Sequence, residues 1–293
     1  MTGVEKFRPD RRRSGTGTEP EHHADLSACA PQQLPTALAR LHLNLPVGAL
    51  VRLQLPATTP AAGTGPDLID LVVGAGFGPP ETDQPDTDQP ELADREANGA
   101  DPATVEVTVR RAWSLADRVG PGMRLLVCGL NPSPYAADHG IAFGRPGNRF
   151  WPALLAAGLA RVDRDPDAAL AEHGIGFTDL VKRTTRTAAE LDAAEYRTGA
   201  ERLERLVRWL EPGVVCFLGL TGYRAAIDRR AAAGVLPTGF AGRPAVLLGN
   251  PSGLNAHLTP ARLAAELAAA AALTGTGRGR STAVHRPTAA DSA

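Results

Sequence analysis

Compact apolar blocks and longer amphipathic stretches alternate along the second half of the chain. "MRLLVCG", "GIGFTDLV", "GVVCFLG" and "PAVLLGNPSG" are apolar runs bounded by Gly, Asn or Pro, the signature of strands buried on both faces. Between and after them, "NRFWPALLAAGLA", "AAEYRTGAERLERLVRWLEP" and "TPARLAAELAAAAAL" carry helical periodicity. The second of these stops before Pro212, and the third opens on Thr259 as N-cap with Pro260 as its first helical residue. Strands alternating with helices predict an α/β domain over 119–275, three-layered, with a mainly parallel central sheet.

Upstream the signal is shorter-ranged. Residues 34–118 read as a small α/β accessory region: a helix over "PTALARLHLNLPVG" ending near Gly48, an alternating strand "ALVRLQLPA", a glycine-closed helix "PDLIDLVVGAGF", and a second alternating strand "TVEVTVRRAW". An acidic, proline-rich stretch, "GPPETDQPDTDQPELADREANGADP", interrupts it, and the flexible insertion is placed at about 77–101 because nothing there can form a core. Residues 1–33, with "RRR" at 11–13, are expected to be a disordered leader, and 276–293 a disordered tail. The order of elements in 34–118 faintly resembles the last portion of a class I methyltransferase fold. The glycine-rich loop that would hold a methyl donor is missing, so that resemblance implies a remnant or accessory module.

At 293 residues and 43% hydrophobic, the chain can bury one sizeable core and a smaller one. Its formal charge of -1 gives no global attraction to nucleic acid, so any DNA-binding surface has to be a local patch. Cys29, Cys128 and Cys216 are too far apart in sequence for a metal-ligand pattern. They read as reduced thiols of a cytoplasmic protein without a structural metal. The N-terminus lacks the apolar stretch of a signal peptide and Glu266 interrupts the C-terminal apolar run, so no membrane association is expected.

Two loops, "CGLNPSPY" and "LGNPSGLNAH", follow strands, where ligands gather over parallel sheets. Neither matches the glycine spacing of a dinucleotide or P-loop site, and no Gly-x-Ser-x-Gly is present. Dehydrogenase, ATPase and serine-hydrolase readings are therefore disfavoured. Asn-Pro-Ser alone also makes an ordinary turn.

Together, "CGLNPSPYAADHGIAFGRPGNRFW", "GIGFTDLVKRT" and "NPSGLNAH" occur in the order found in the mismatch-specific uracil-DNA and thymine-DNA glycosylase family of the uracil-DNA glycosylase superfamily, which residues 122–275 resemble. The resemblance implies a three-layer α/β/α fold and a monofunctional enzyme of base excision repair. Such an enzyme hydrolyses the glycosidic bond of uracil, and potentially thymine or modified cytosine, in mismatched double-stranded DNA, leaving an abasic site. It implies no cofactor and no metal, and one copy of the chain is physically sufficient.

By the same resemblance Asn131 positions the hydrolytic water, a task suited to a side chain with both an acceptor and a donor. Phe143 stacks on the extruded base, Asn148 braces the pocket, Asp179 lines it, and Asn250 lies near the leaving pyrimidine. Ser252 is placed to bind phosphate and Gly253 to approach the opposite base. Leu254 is the wedge that fills the vacated stack. Asn255 and His257 stand where some bacterial relatives carry an arginine. Arg145, Arg149, Lys182, Arg183 and Arg186 cluster in the matching regions as a phosphate-binding surface.

Three departures bear on substrate. Ser133 replaces a common glycine, Pro134 and Tyr135 alter the same loop, and Asp179 stands where relatives have a neutral amide or a lysine. A carboxylate there accepts a base N–H but repels a developing base anion. The preference among uracil, thymine and modified cytosine stays open, as does the alternative of a non-catalytic DNA-lesion sensor.

Overall fold

The computed structural model describes residues 22–57, 66–81, 104–253 and 258–275. Strand β1 (His22–Asp25) runs parallel to β2 (Leu50–Pro56), with helix α1 (Leu34–Asn44) as the crossover. Helix α2 (Leu68–Gly74) is capped by Asp67, whose carboxylate accepts from Asp70 N. Strand β3 (Thr104–Arg110) then pairs antiparallel with β2, giving the order β1-β2-β3. Leu34, Leu38, Val51, Leu53, Leu55, Leu71, Val72 and Val109 form one apolar core between helices and sheet.

Two boundaries of this region move. Residues 22–25 fall inside the expected leader yet form β1, which sequence hides because a polar "HHAD" strand is held by main-chain pairing to β2 rather than by apolar burial. At the other break, Phe77 is buried and bridges to Arg111, so the chain is ordered beyond where the insertion was placed. Residues 1–21, 82–101 and 276–293 of the expected leader, insertion and tail lie outside the described residues.

The larger unit follows. β4 (Leu125–Gly129), α3 (Pro134–His139), α4 (Phe150–Ala156), α5 (Pro166–His173) and β5 (Ile175–Asp179) lead into α6 (Ala193–Leu210) and β6 (Val214–Leu218). Helix α7 (Leu220–Ala226), a hairpin of β7 (Gly234–Phe240) and β8 (Arg243–Leu248), and helix α8 (Pro260–Ala272) complete it. The sheet order is β5-β4-β6-β8-β7, parallel except for β7. Alternation within the strands explains their unbroken apolarity. Leu125 and Val127 face a core with Phe150, Trp151, Leu263 and Leu267, while Leu126 and Cys128 face a second one with Leu203, Leu206 and Leu210 of α6. Helices therefore cover both faces of a central sheet, the three-layer α/β arrangement.

The two units meet along α6. Trp209 packs against the N-terminal core, Arg205 makes a two-pronged ion pair with Asp70 (2.5 and 2.9 Å), and Asp117 N donates to Gly74 O at 2.8 Å. Arg118 exchanges both main-chain hydrogen bonds with Phe177, so the end of the 34–118 segment is laced to the edge of β5. Among the described residues no helix is long and apolar enough to cross a membrane, and no three His, Cys, Asp or Glu side chains gather to hold a metal.

Candidate active site

The carboxyl ends of β4 and β5 bring the first two motifs together. Gly129 and Asp179 are paired across the strands, and the ladder continues into the loops through Leu180 N to Gly129 O (3.0 Å) and Val181 N to Leu130 O (2.9 Å). Beyond it stands Asn131. Its amide Nδ2 donates to Arg183 O at 2.9 Å and Thr185 Oγ1 at 2.7 Å. A main-chain carbonyl accepts only from a donor, so the amide nitrogen must face Arg183 and the side-chain carbonyl oxygen is turned away from these partners. That oxygen accepts no protein hydrogen bond among the described residues, which leaves it for a water. Thr185, buried, donates its own hydroxyl hydrogen bond to Thr187 O at 2.9 Å.

The loop "CGLNPSPY" runs into a short helix, α3, that its sequence does not announce. Ser133 Oγ accepts from Ala136 N at 3.3 Å as the N-cap, Pro134 supplies a pre-set φ, and Gly140 ends the helix in the left-handed conformation (φ 69°). Ser133, the departure from the family pattern, is thus spent on capping.

Phe143 adopts φ 56°, a conformation that costs a bulky residue roughly 1–3 kcal/mol. The surrounding bonds hold it there: Trp151 Nε1 donates to Ala142 O (2.8 Å), Gly144 N to Ile141 O (3.2 Å), and Arg164 Nε to Gly144 O (3.1 Å). The half-buried ring packs on Phe150, centroids 4.6 Å apart. A Cβ on Gly129 would stand 3.2 Å from Phe143 Cζ and collide with Asp179 Oδ1. The ring, the carboxylate and the bare main chain of Gly129 therefore converge on one spot. Asp179 is 6% exposed and does not point outward; burial pushes its carboxyl up to about 6, against the pull of Lys182 and Arg202 and with the push of Asp117. Burial likewise raises the Cys128 and Cys216 thiols, Cys216 to about 12, so neither serves as a nucleophile.

The loop after β8 is tied to the first motif. Arg149 N donates to Pro251 O at 3.0 Å, and the Arg149 guanidinium donates to Leu258 O and to Gly253 O (3.3 Å), spanning the segment between them. At Gly253 a Cβ would lie 2.6 Å from Gly147 O, so the close approach of these two main chains requires glycine there. Asn250 Oδ1 accepts from Ser252 N at 2.9 Å in a local turn, and Asn148 Oδ1 accepts from Phe150 N at 2.9 Å at the start of α4. Leu254, Asn255 and His257 lie outside the described residues.

The expected phosphate-binding surface is corrected at Lys182. Lys182 is turned inward, its side chain 8% exposed and Nζ 2.7 Å from Asp117 Oδ1. Arg183 stays exposed while it pairs with Glu195 (2.6 and 2.9 Å) and donates to Glu190 O, fastening the Asn131 anchor to α6. Arg145 and Arg186 are exposed and make no ion pair among the described residues. Thr185, Arg164, Asp117 and Arg202 escaped the sequence reading. For Thr185 a local signal existed in the run "RTTRT" just past the second motif; the others act across distances that no spacing reveals.

The family model that matches this chain, over residues 116–274, is that of the uracil DNA glycosylase superfamily. Among solved structures, a solution NMR structure of a Methanosarcina acetivorans protein provisionally assigned as a uracil DNA glycosylase is 19% identical, with 55% of this chain and 96% of that one aligned at a TM-score of 0.39. Members of the matched superfamily are DNA glycosylases, hydrolases that act on DNA. The match runs from Ala116 to Thr274, more than half of the sequence, and the protein belongs to the uracil DNA glycosylase superfamily.

Proposed function

We propose that the protein is a monofunctional DNA glycosylase that removes uracil from mismatched double-stranded DNA and leaves an abasic site. The observation that carries this reading is the anchored amide of Asn131, whose donor side is fixed by Arg183 O and Thr185 Oγ1 while its carbonyl oxygen is left to orient a water. The extruded nucleotide presents its base to the spot bounded by Phe143, Gly129 and Asp179. Phe143 offers a π face for stacking, and Gly129 lets the main chain approach the base edge.

Hydrolysis breaks the C1′–N1 bond, its electrons leaving with the pyrimidine, and the water oxygen bonds to C1′ while its proton passes to solvent. Asn131 needs no shifted pKa for this; it contributes orientation, worth up to several powers of ten when the attacking atom is held in line. Asp179 in its neutral form donates a hydrogen bond to a pyrimidine carbonyl, and as a carboxylate accepts from N3–H; uracil provides both groups. The wedge role of Leu254, the DNA contacts of Arg145, Ser252, Asn255 and His257, and action as a monomer belong to the same proposal.

A duplex bearing one G·U pair, incubated with the protein and then alkali, tests it: strand scission at the uracil position is expected, abolished in Asn131→Ala with duplex binding retained. Binding of the mismatched duplex without base release from uracil, thymine or ethenocytosine would identify a lesion sensor instead.

A further inference from the structure

Behind the base pocket lies a buried cluster of charge that the reaction described above does not use. Asp117 (4% exposed) receives Lys182 Nζ at 2.7 Å and Thr178 Oγ1 at 2.8 Å on one carboxylate oxygen, and Arg202 Nη1 at 2.8 Å on the other. Arg202, itself 4% exposed, continues to Thr178 Oγ1 (3.2 Å) and to the main-chain oxygen of Asp179 (2.7 Å). Two cations and two carboxylates thus share one water-poor volume, with Thr178 and Asp179 at its pocket end. The accessory region closes the other end: a Cβ on Gly74 would stand 2.8 Å from Asp117 Oδ2 and 3.0 Å from Arg202 Nη1, so only bare main chain fits, and Gly74 O takes the Asp117 N–H.

We propose that Asp117, clamped between Lys182 and Arg202 and sealed by Gly74 of the accessory region, is a positioning residue that sets how Asp179 presents its carboxyl group to the extruded base. It rests on the glycosylase reading of the Asn131 loop and deepens it. Asp117 touches no substrate; it acts through its neighbours. It holds both cations close enough to steady Asp179, and its own negative charge cancels part of theirs, so Asp179 is not locked as a carboxylate that would repel a departing base anion. The groups facing Asp179 are Cys128 on β4, Arg202 on α6, Lys182 after β5, and Asp117 with Arg118 on the segment before β4. The charges of the loop bearing Phe143, Arg145 and Arg149, do not act on Asp179. The accessory region, on this view, is the lid that keeps water out of the cluster.

The intact protein, labelled with 13C at aspartate carboxyls, is titrated by NMR without DNA; the Asp179 signal is assigned by its loss in Asp179→Asn. Wild type should show that carboxyl titrating near 6. In Asp117→Asn it should fall by about one pH unit, in Lys182→Met rise by about one, and in Asp117→Glu return toward wild type. The pH profile of single-turnover uracil release should move in the same two opposite directions. Lys182→Met alone decides the matter if Asp117→Asn does not fold. Both variants shifting alike, or neither moving while rate falls equally at every pH, overturns the proposal and leaves Asp117 a purely structural residue. Opposite carboxyl shifts in a wild type that releases no uracil remove the glycosylase reading and keep the Asp117–Asp179 coupling.

Discussion

Asn131 Nδ2 donates to Thr185 Oγ1 across 2.7 Å, joining the loop after β4 to the chain beyond β5. This bond and the one to Arg183 O leave the amide one orientation, which is how a side chain with no perturbed pKa is made to aim a water. Thr185→Val keeps the buried shape and removes the acceptor. Uracil release should slow by about 10- to 100-fold at unchanged duplex affinity, because misplacement of a reacting group by about an ångström costs on that order. Thr185→Ser should recover most of the rate. An unchanged single-turnover rate in Thr185→Val would show that Arg183 O alone orients the amide.

Arg149 is read in sequence as one of several surface charges, yet its guanidinium reaches the carbonyls of Gly253 and Leu258, on either side of the proposed wedge. Hydrogen bonds from a charged donor contribute about 1.5–3 kcal/mol each to whatever they order. Arg149→Met therefore should loosen this loop and weaken mismatched-duplex binding by about tenfold or more. Binding should keep the salt slope of wild type, since no phosphate contact is removed. Titrating a labelled G·U duplex at two salt concentrations checks this: a shallower salt slope in the variant would make Arg149 a phosphate ligand after all.

The four parallel strands of the large domain were legible because they are apolar and buried on both faces, whereas β7 is largely exposed and lacks that apolar run. The long helices were legible because they carry strong caps. Asp192 and Glu195, for instance, satisfy each other's main-chain N–H at the start of α6. α3 was not, since Ser133-Pro134 is equally the start of a turn and of a helix until Gly140 closes it. α5 had its signals in Asp165, Pro166 and Gly174, but it is short and weakly amphipathic. Motif order placed Asn131, Phe143 and Asp179 near one another. It could not reveal that Lys182 faces inward, because its partner Asp117 lies 65 residues earlier in the chain.

Asp179 should make the protein less stable as pH rises. Its folded carboxyl is raised to about 6 from 3.8 by burial, so the folded state binds this proton more tightly than the unfolded chain does. The stabilisation is full below pH 3.8 and is lost as pH climbs through about 6, amounting to about 3 kcal/mol. Asp179→Asn has no such proton to lose. Urea unfolding of both proteins should show the variant gaining on wild type by this order between pH 4 and pH 7.5; a constant difference would mean the carboxyl is ionised throughout.

His42 works in the opposite sense. It is 1% exposed, meets Phe77 edge-on with centroids 5.6 Å apart, and presses Nε2 against Gly76, where a Cβ would come within 2.6 Å. Burial, helped by the nearby Arg111 cation, lowers its pKa from 6.5 to about 3, so it is neutral in the folded protein. The unfolded chain takes up this proton near 6.5. The stability His42 allows is therefore complete above pH 6.5 and drains away as pH falls toward 3, by about 3 kcal/mol between pH 6.5 and pH 4.5. His42→Leu fills similar volume without a titratable ring and should flatten that acid slope. Because Arg111 Nε bonds to the main-chain oxygen of residue 42, the substitution leaves that contact in place. Urea midpoints measured at the two pH values should converge in the variant, and equal acid slopes in both proteins would place the acid-sensitive group elsewhere.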